Sequence, residues 1–353
     1  MAGRAYALHM AAARPYDSEN IVVLRGLEPV RVRPGMYIGS TDARGLLHLV
    51  YEVVANSVDA HLAGTATRIS VSVSPEHWVE VVDDGAGIPV TKRWADRSFL
   101  EVALTELHPG ATADGHFPHV HVGPGMGLGL AVVNALSRRF EVQTSFEGRR
   151  WSIGCEQGRI VDLLRDLGPT KVRGTTVRFQ PDATIFENHR INVRFLRQRL
   201  QELAWLTPTL SWTLQRRRVR TTHCLLDALA KHGPLLEGSI IQLADRRDGM
   251  GFEFVLALTR TPSDGPRFEH FVNYQRLESG THEKAIIAAV KKVFPSLLNR
   301  LVCASHLTLL SPEFEGPTRA RLHLPKATPH VRRMIAMALS EESDHRIAWL
   351  QTT

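Results

Sequence analysis

The stretch Leu46–Gly64, LLHLVYEVVANSVDAHLAG, limits what this chain can become more than any other. At about 100° per residue, His48, Glu52, Asn56 and Asp59 share one narrow stripe of a helix. Leu46, Leu47, Leu49, Val50, Val53, Val54, Val58 and Leu62 make most of the remaining surface apolar. Such a helix is buried, and a buried carboxylate needs a partner or a job. Two readings are open: a core helix whose polar stripe reaches solvent, and one wall of a wet cleft.

The surrounding sequence alternates strands and helices. Arg33–Gly39 (RPGMYIG) carries a Pro-Gly turn, and Asp42–Gly45 breaks the chain ahead of the helix. Strands are expected at Arg68–Val73 and Trp78–Val82, the second running into a tight loop, Asp83–Pro89 (DDGAGIP). Arg97–His108 reads as a helix and Pro109–Val122 as an aperiodic lid, while Gly123–Gly129 (GPGMGLG) opens an apolar helix over Leu130–Ser137. Strands follow near Glu141–Thr144, Trp151–Cys155 and Thr175–Phe179, then a helix over Val193–Leu203. Composition shifts around Thr221–Gly238. Beyond it, strands are expected at Gly251–Thr259, Arg267–Asn273 and Leu301–Leu310, with helices at Glu283–Phe294 and Pro329–Ser340.

The glycine-rich run before a helix is a ready anion site, because backbone N–H groups can approach phosphate oxygens there. It closes with no Gly-Lys-Ser/Thr and lacks the dinucleotide fingerprint, so on its own it names no ligand. Asp83 and Asp84 sit where a strand meets a turn; a carboxylate there either accepts from the exocyclic amine of an adenine or caps its own loop. On the helix, Asn56 offers a hard oxygen suited to Mg²⁺, Glu52 can orient or deprotonate a water, and His48, one turn earlier, can hold Glu52 in place.

Composition narrows the field. With 353 residues, two domains can each bury a core. No apolar run approaches the roughly 18–20 residues of a membrane span, and residues 1–15 read as a disordered tail rather than a signal peptide. Cys155, Cys224 and Cys303 are scattered and odd in number, which fits a reducing cytoplasm. A formal charge of +7 suits a nucleic-acid partner without requiring one; the densest basic run, Gln215–Arg220 (QRRRVR), reads as a solvated strand end.

These pieces, in this order, resemble the ATPase half of the gyrase B family of DNA topoisomerases. The resemblance is carried by the helix EVVANSVDAHLAG, the loop DDGAGIP, the segment GMGLGLAVVNALS and the strand GTTVRF. YDSENI and RPGMYIG match upstream, and SGTH at Ser279–His282 and SPEFEGPTRARL at Ser311–Leu322 match downstream. It runs from about Tyr16 to past Arg332. It implies an α+β fold: a Bergerat-type α/β sandwich (GHKL ATPase) over residues 16–221, then a ribosomal-S5-like transducer over residues 222–353. It implies ATP and Mg²⁺ as ligands and an ATP-driven homodimer clamp. Carried over residue by residue, Glu52 looks like the general base, with His48 beside it, and Asn56 like the Mg²⁺ ligand. Asp83 looks like the adenine reader with Thr175 beside it. Asp59, Gly87, Ile88 and Pro89 would line the nucleotide site. Gly125, Gly127, Leu128 and Gly129 would cradle phosphates, and Tyr16 and Ile21 would belong to an arm crossing to the second protomer.

The departures carry expectations too. The family's Gln-Thr-Lys signature is Pro317-Thr318-Arg319 here, so the cation expected at the γ-phosphate is Arg319. Gly110–Thr112 stands where the lid lysine is expected. Ala60 and Ala86 replace an acid and an arginine, and Phe146 replaces an arginine at the cleft mouth, so aminocoumarin inhibitors are expected to bind weakly. No acidic metal-binding (Toprim) module and no catalytic tyrosine occurs before Thr353, so any DNA cleavage is expected from a separate polypeptide. Two functions compete: a topoisomerase-type ATPase and transducer, and a stand-alone ATP-binding switch or interaction module. A metabolic kinase would need a phosphoacceptor pocket that no stretch suggests.

Overall fold

The computed structural model describes residues 23–91, 93–107, 129–188, 190–220, 224–309, 312–315, 320–340 and 349. The central helix, α3 (Ala43–Leu62), follows two one-turn helices, α1 (Glu28–Val32) and α2 (Gly35–Ile38); the expected Pro-Gly turn opens α2, with Pro34 at its N-cap. It starts three residues earlier than its apolar pattern because Asp42 caps it, accepting from the backbone N–H groups of Arg44 at 2.8 Å and Gly45 at 3.4 Å. Eleven of its residues are buried, Val50, Val54 and Val58 completely.

Around α3 the chain builds β1 (Arg68–Val73), β2 (Val79–Asp83), a small hairpin of β3 (Arg93–Trp94) and β4 (Arg97–Ser98), α4 (Phe99–Thr105) and α5 (Gly129–Ala135). Then come β5 (Ser137–Phe146), β6 (Arg149–Glu156), β7 (Arg159–Pro169), β8 (Gly174–Pro181), α6 (Val193–Leu206), β9 (Ser211–Leu214) and β10 (Arg217–Val219). Eight strands form one sheet in the order β10-β9-β1-β2-β8-β5-β6-β7, antiparallel throughout except for β1 beside β9. Register sorts its faces. Val79, Phe179 and Phe140 stand in one row and Val81, Val177 and Val142 in the next, all buried in the core that holds α3 and α5. On the opposite face Glu80, Arg178 and Glu141 stand in a row, with Arg178 3.6 and 3.5 Å from the two carboxylates.

The expected helix over 97–108 is shorter, because Arg97 and Ser98 pair in β4 and Ser98 caps α4 in a reciprocal capping box with Glu101. Ser137, expected to end a helix, opens β5, its hydroxyl donating to the Val133 carbonyl at 2.6 Å. Strand β7 escapes sequence reading. As an edge strand it leaves Val161, Leu163 and Leu167 exposed beside charged residues, so no buried alternation marks it.

The second sheet, β11-β12-β16-β13-β14, comprises β11 (Ile241–Arg247), β12 (Met250–Leu258), β13 (Arg267–Val272), β14 (Gln275–Leu277) and β16 (Leu301–Thr308). Helices α7 (Thr281–Val293) and α8 (Thr328–Ala338) accompany it, and the short strands β15 (Ser279–Gly280), β17 (Phe314–Glu315) and β18 (Arg321–Leu322) make a small sheet of their own. The five-stranded sheet is a shared wall. Phe254, Leu256 and Leu258 of β12 join the core of α7 and α8, while the intervening Val255 and Ala257 join the core of the first sheet. Burial on both faces explains why β12 and β16 read as nearly unbroken apolar runs. The segment of shifting composition is no open linker: a 3-10 helix, Cys224–His232, packs against α6, β12, β13 and β16.

Candidate functional site

The candidate site lies where one polar row ends the apolar ladder of the first sheet. Asp83 stands opposite Thr175, and Thr175 opposite Thr144, on the same face as Val81, Val177 and Val142 but one step nearer the strand ends. Helix α3 crosses this end and places Ser57 against Asp83, its hydroxyl donating to Oδ2 at 2.9 Å. Oδ1 accepts from the backbone N–H groups of Gly85 at 2.9 Å and Thr175 at 3.3 Å. Burial pushes the Asp83 carboxyl above its ordinary value, against the lowering pull of these donors, and the charge of Asp84 adds to the rise.

Asp84, next in sequence, does the other job that the sequence left open. It binds Thr67 through the backbone N–H at 2.6 Å and the hydroxyl at 2.7 Å, and Arg68 through N–H at 2.8 Å and Nε at 3.1 Å. Despite partial burial, those donors hold its carboxyl down at about 2. It pins the loop to β1.

The loop presses its backbone onto the sheet. A Cβ at Gly87, where φ is 84°, would lie 2.0 Å from the Ser145 carbonyl oxygen, and one at Gly174, at φ 116°, would lie 1.9 Å from that of Asp83. Ile88 follows, its N–H donating to Thr144 Oγ1 at 2.7 Å, with Thr144 Oγ1 3.2 Å from Thr175 Oγ1. Ile88 and Pro89 are half-buried beside this contact, and Phe146 packs against the same core one residue beyond Ser145. Ala60 packs close by, 3.2 Å from where a Gly85 Cβ would stand.

Along α3, Glu52 reaches the start of α5: the Gly129 N–H donates to its Oε2 at 3.0 Å. Asn56 sits one turn further, its Nδ2 donating to the Glu52 carbonyl at 3.2 Å, which leaves Oδ1 as the atom a cation could use. A lone amide oxygen of that kind fits Mg²⁺, which takes hard oxygens and keeps water and phosphate in its shell. His48 forms no hydrogen bond with Glu52; its ring lies 6.2 Å from that of Tyr51, and burial lowers its pKa, so it is neutral at neutral pH. Asp59 is half-buried on the same helix and acts electrostatically on Tyr274, in the turn between β13 and β14 of the second sheet.

The structure therefore gathers Glu52, Asn56, Asp83, Gly87, Ile88, Gly129 and Thr175 at one end of the first sheet. Tyr16, Ile21, Gly125, Gly127, Leu128 and Arg319, with the tail and the lid, lie outside the described residues. Sequence reasoning missed Ser57, Thr144 and Gly174. Ser57 was legible as the residue after Asn56, a quarter turn towards the strands; the two others show only through strand register.

Residues 41–185 match the family described as histidine kinase-, DNA gyrase B-, and HSP90-like ATPase. The gyrase B protein of Haloferax volcanii is 34% identical over 347 residues, covering 89% of this chain and 54% of that protein. The chain thus spans about half the length of the curated relatives it matches. Among solved structures, the 43K ATPase domain of Thermus thermophilus gyrase B, in complex with an aminocoumarin, superposes with a TM-score of 0.75 at 29% identity, covering 91% of each chain. The topoisomerase IV ATP-binding domain of Francisella tularensis, in complex with a small-molecule inhibitor, gives 0.66 at 25% identity, over 94% of this chain and 99% of that one. An α+β fold and matches of this extent lead to one conclusion: residues 41–185 carry a domain of the histidine kinase-, DNA gyrase B- and HSP90-like ATPase family, in a chain that is similar to gyrase B over most of its own length.

Proposed function

We propose that this chain binds Mg·ATP between α3 and the paired ends of β2 and β8, hydrolyses it, and serves as the ATPase and transducer part of a type II topoisomerase. The contact that carries the reading is the Glu52 carboxylate held at the first residue of α5, on the same helix whose Ser57 holds Asp83. Asp83 accepts the exocyclic amine of adenine, with Thr175 and Thr144 beside it. Gly87, Ile88 and Pro89 bring the loop backbone against the base and ribose, with Asp59 at the far end of the same helix stripe. Glu52 orients the attacking water and takes its proton, with His48 one turn earlier on the same helix. Asn56 Oδ1 holds Mg²⁺, which when bound neutralises charge on the phosphates. Gly125, Gly127, Leu128 and Gly129 wrap the phosphates, and Arg319 supplies a cation to the terminal one.

ATP closes two copies into a clamp in which Tyr16 and Ile21 reach the second protomer's site. DNA is the clamp's cargo, with cleavage supplied by a separate polypeptide. We place the protein in the cytoplasm, where the buried free thiols of Cys155 and Cys303 need no partner; among the described residues no helix is long and apolar enough to cross a membrane. The names of the relatives favour this over a stand-alone switch.

Glu52→Ala tests the reading. Steady-state ATP turnover should drop by roughly 10²–10⁴ while equilibrium binding of ATP persists. Unchanged turnover would remove Glu52 from the mechanism.

A further inference from the structure

Ser57 contributes something that the proposed mechanism does not use. It is 4% exposed, sits on α3 between Asn56 and the sheet, and donates its hydroxyl to Asp83 Oδ2 at 2.9 Å. The acceptor count of that carboxylate is nearly complete. A carboxylate offers about four lone-pair positions. Two backbone N–H groups take Oδ1, and Ser57 takes one position on Oδ2. One position on Oδ2 remains, and it can receive only a donor.

We infer that Ser57 is the positioning residue for base selection: by donating to Oδ2 it holds Asp83 as an acceptor with a single vacancy, which a 6-aminopurine fills and a 6-oxopurine cannot. This rests on the ATP reading above and names the residue that sets its base specificity. The groups facing Asp83 leave Ser57 in a decisive position. Strands β8 and β5 bring Thr175 and Thr144, and the loop brings Gly85 N–H. The charged neighbour is Asp84, itself tied to Arg68 and raising the Asp83 pKa, as burial does more strongly. Of the side chains acting on Asp83, Ser57 alone opposes that rise. Without its hydroxyl, Asp83 takes up a proton at higher pH, becomes a donor through that oxygen, and accommodates a 6-oxo group.

The test uses ADP and IDP, which bind without turnover, and compares equilibrium affinities of the full chain across about pH 4–9, starting near the ordinary carboxyl value above which Asp83 is raised. Wild type should prefer ADP, with the preference fading in acid. Ser57→Ala should lose about tenfold in ADP affinity near neutrality, the worth of one hydrogen bond to a charged group, with little change for IDP. Its preference should also fade at higher pH than in wild type, and Ser57→Thr should restore both. A Ser57→Ala protein with the wild-type preference and pH profile overturns the proposal, as does a Ser57→Thr protein that fails to restore them. Equal affinity of wild type for ADP and IDP would overturn it while leaving a nucleotide site standing; failure of either nucleotide to bind would remove the function reading as well.

Discussion

Asp83 and Asp84 are adjacent, chemically identical, and used in opposite ways. Strand alternation turns Asp83 inward, under α3, where burial raises its pKa; Asp84 falls past the strand end and is held down to about 2 by four contacts with Thr67 and Arg68. Asp83→Asn keeps the shape but turns an acceptor-only group into one that also donates, so ATP affinity should fall about tenfold or more in a binding titration with stability largely kept. The buried histidines give the molecule an acid-sensitive stability. His282, 1% exposed, has its Nε2 2.8 Å from His270 Nδ1 and 3.1 Å from Ser305 Oγ, and burial together with the neighbouring His270 drives its pKa well below the ordinary value. The unfolded chain then binds a proton that the folded chain refuses. Stability is therefore full above an ordinary histidine pKa and declines as pH falls below about 6.5, by up to ~1.4 kcal/mol per pH unit for one such group. Thermal unfolding at stepped pH should show that slope, and His282→Gln should flatten it. An unchanged slope in the variant would shift the cause elsewhere.

Elements that bury one face were legible; those defined by partners were not. Helix α3 announced itself because eight aliphatic side chains and one polar stripe agree on a single periodicity. Strands β1, β2 and β8 alternate cleanly since one face meets the core and the other meets water. Strand β7 has no such contrast, and β4 has the composition of a helix start, so both were misjudged. In the site, residue types on α3 and in the DDGAGIP loop could be read in advance. The Asp83–Thr175–Thr144 row could not, because a register between segments tens of residues apart leaves no local trace. That row also depends on backbone contact. Gly174→Ala would add a Cβ 1.9 Å from the Asp83 carbonyl oxygen at a φ of 116°, so it should cost on the order of 2–4 kcal/mol in chemical unfolding and weaken nucleotide binding. A substitution that leaves both unchanged would show that β2 and β8 pair less closely than described.

The two sheets act as one body because β12, β13 and β16 feed side chains into both cores and because a buried ion network bridges them. Glu202 of α6 bonds Arg199 at 2.8 Å and Arg276 at 2.7 Å; Arg276 also reaches Glu269, which binds Lys231 at 2.7 Å and His232 at 2.8 Å. Glu269 is 2% exposed; burial alone would raise its pKa, yet its cationic partners hold it below the ordinary value. Glu269→Ala strands several cations and should cost about 3–5 kcal/mol in thermal or chemical unfolding. The α6 end of the network reaches back to α3. Burial raises the Tyr51 hydroxyl to about 12, with Arg199 and Glu202 also acting on it, and Tyr51 precedes Glu52. Helix α3 and the second sheet are thus electrostatically linked through α6, a connection that the proposed ATP-driven clamp would use. A crystal structure with Mg²⁺ and a non-hydrolysable ATP analogue tests the nucleotide site most directly. The expected result is the adenine amine on Asp83 Oδ2, Mg²⁺ on Asn56 Oδ1, and the terminal phosphate beside Glu52. A nucleotide seated instead in the ~870 Å³ cleft lined by Leu24–Glu28 and Glu156–Arg159 would contradict it.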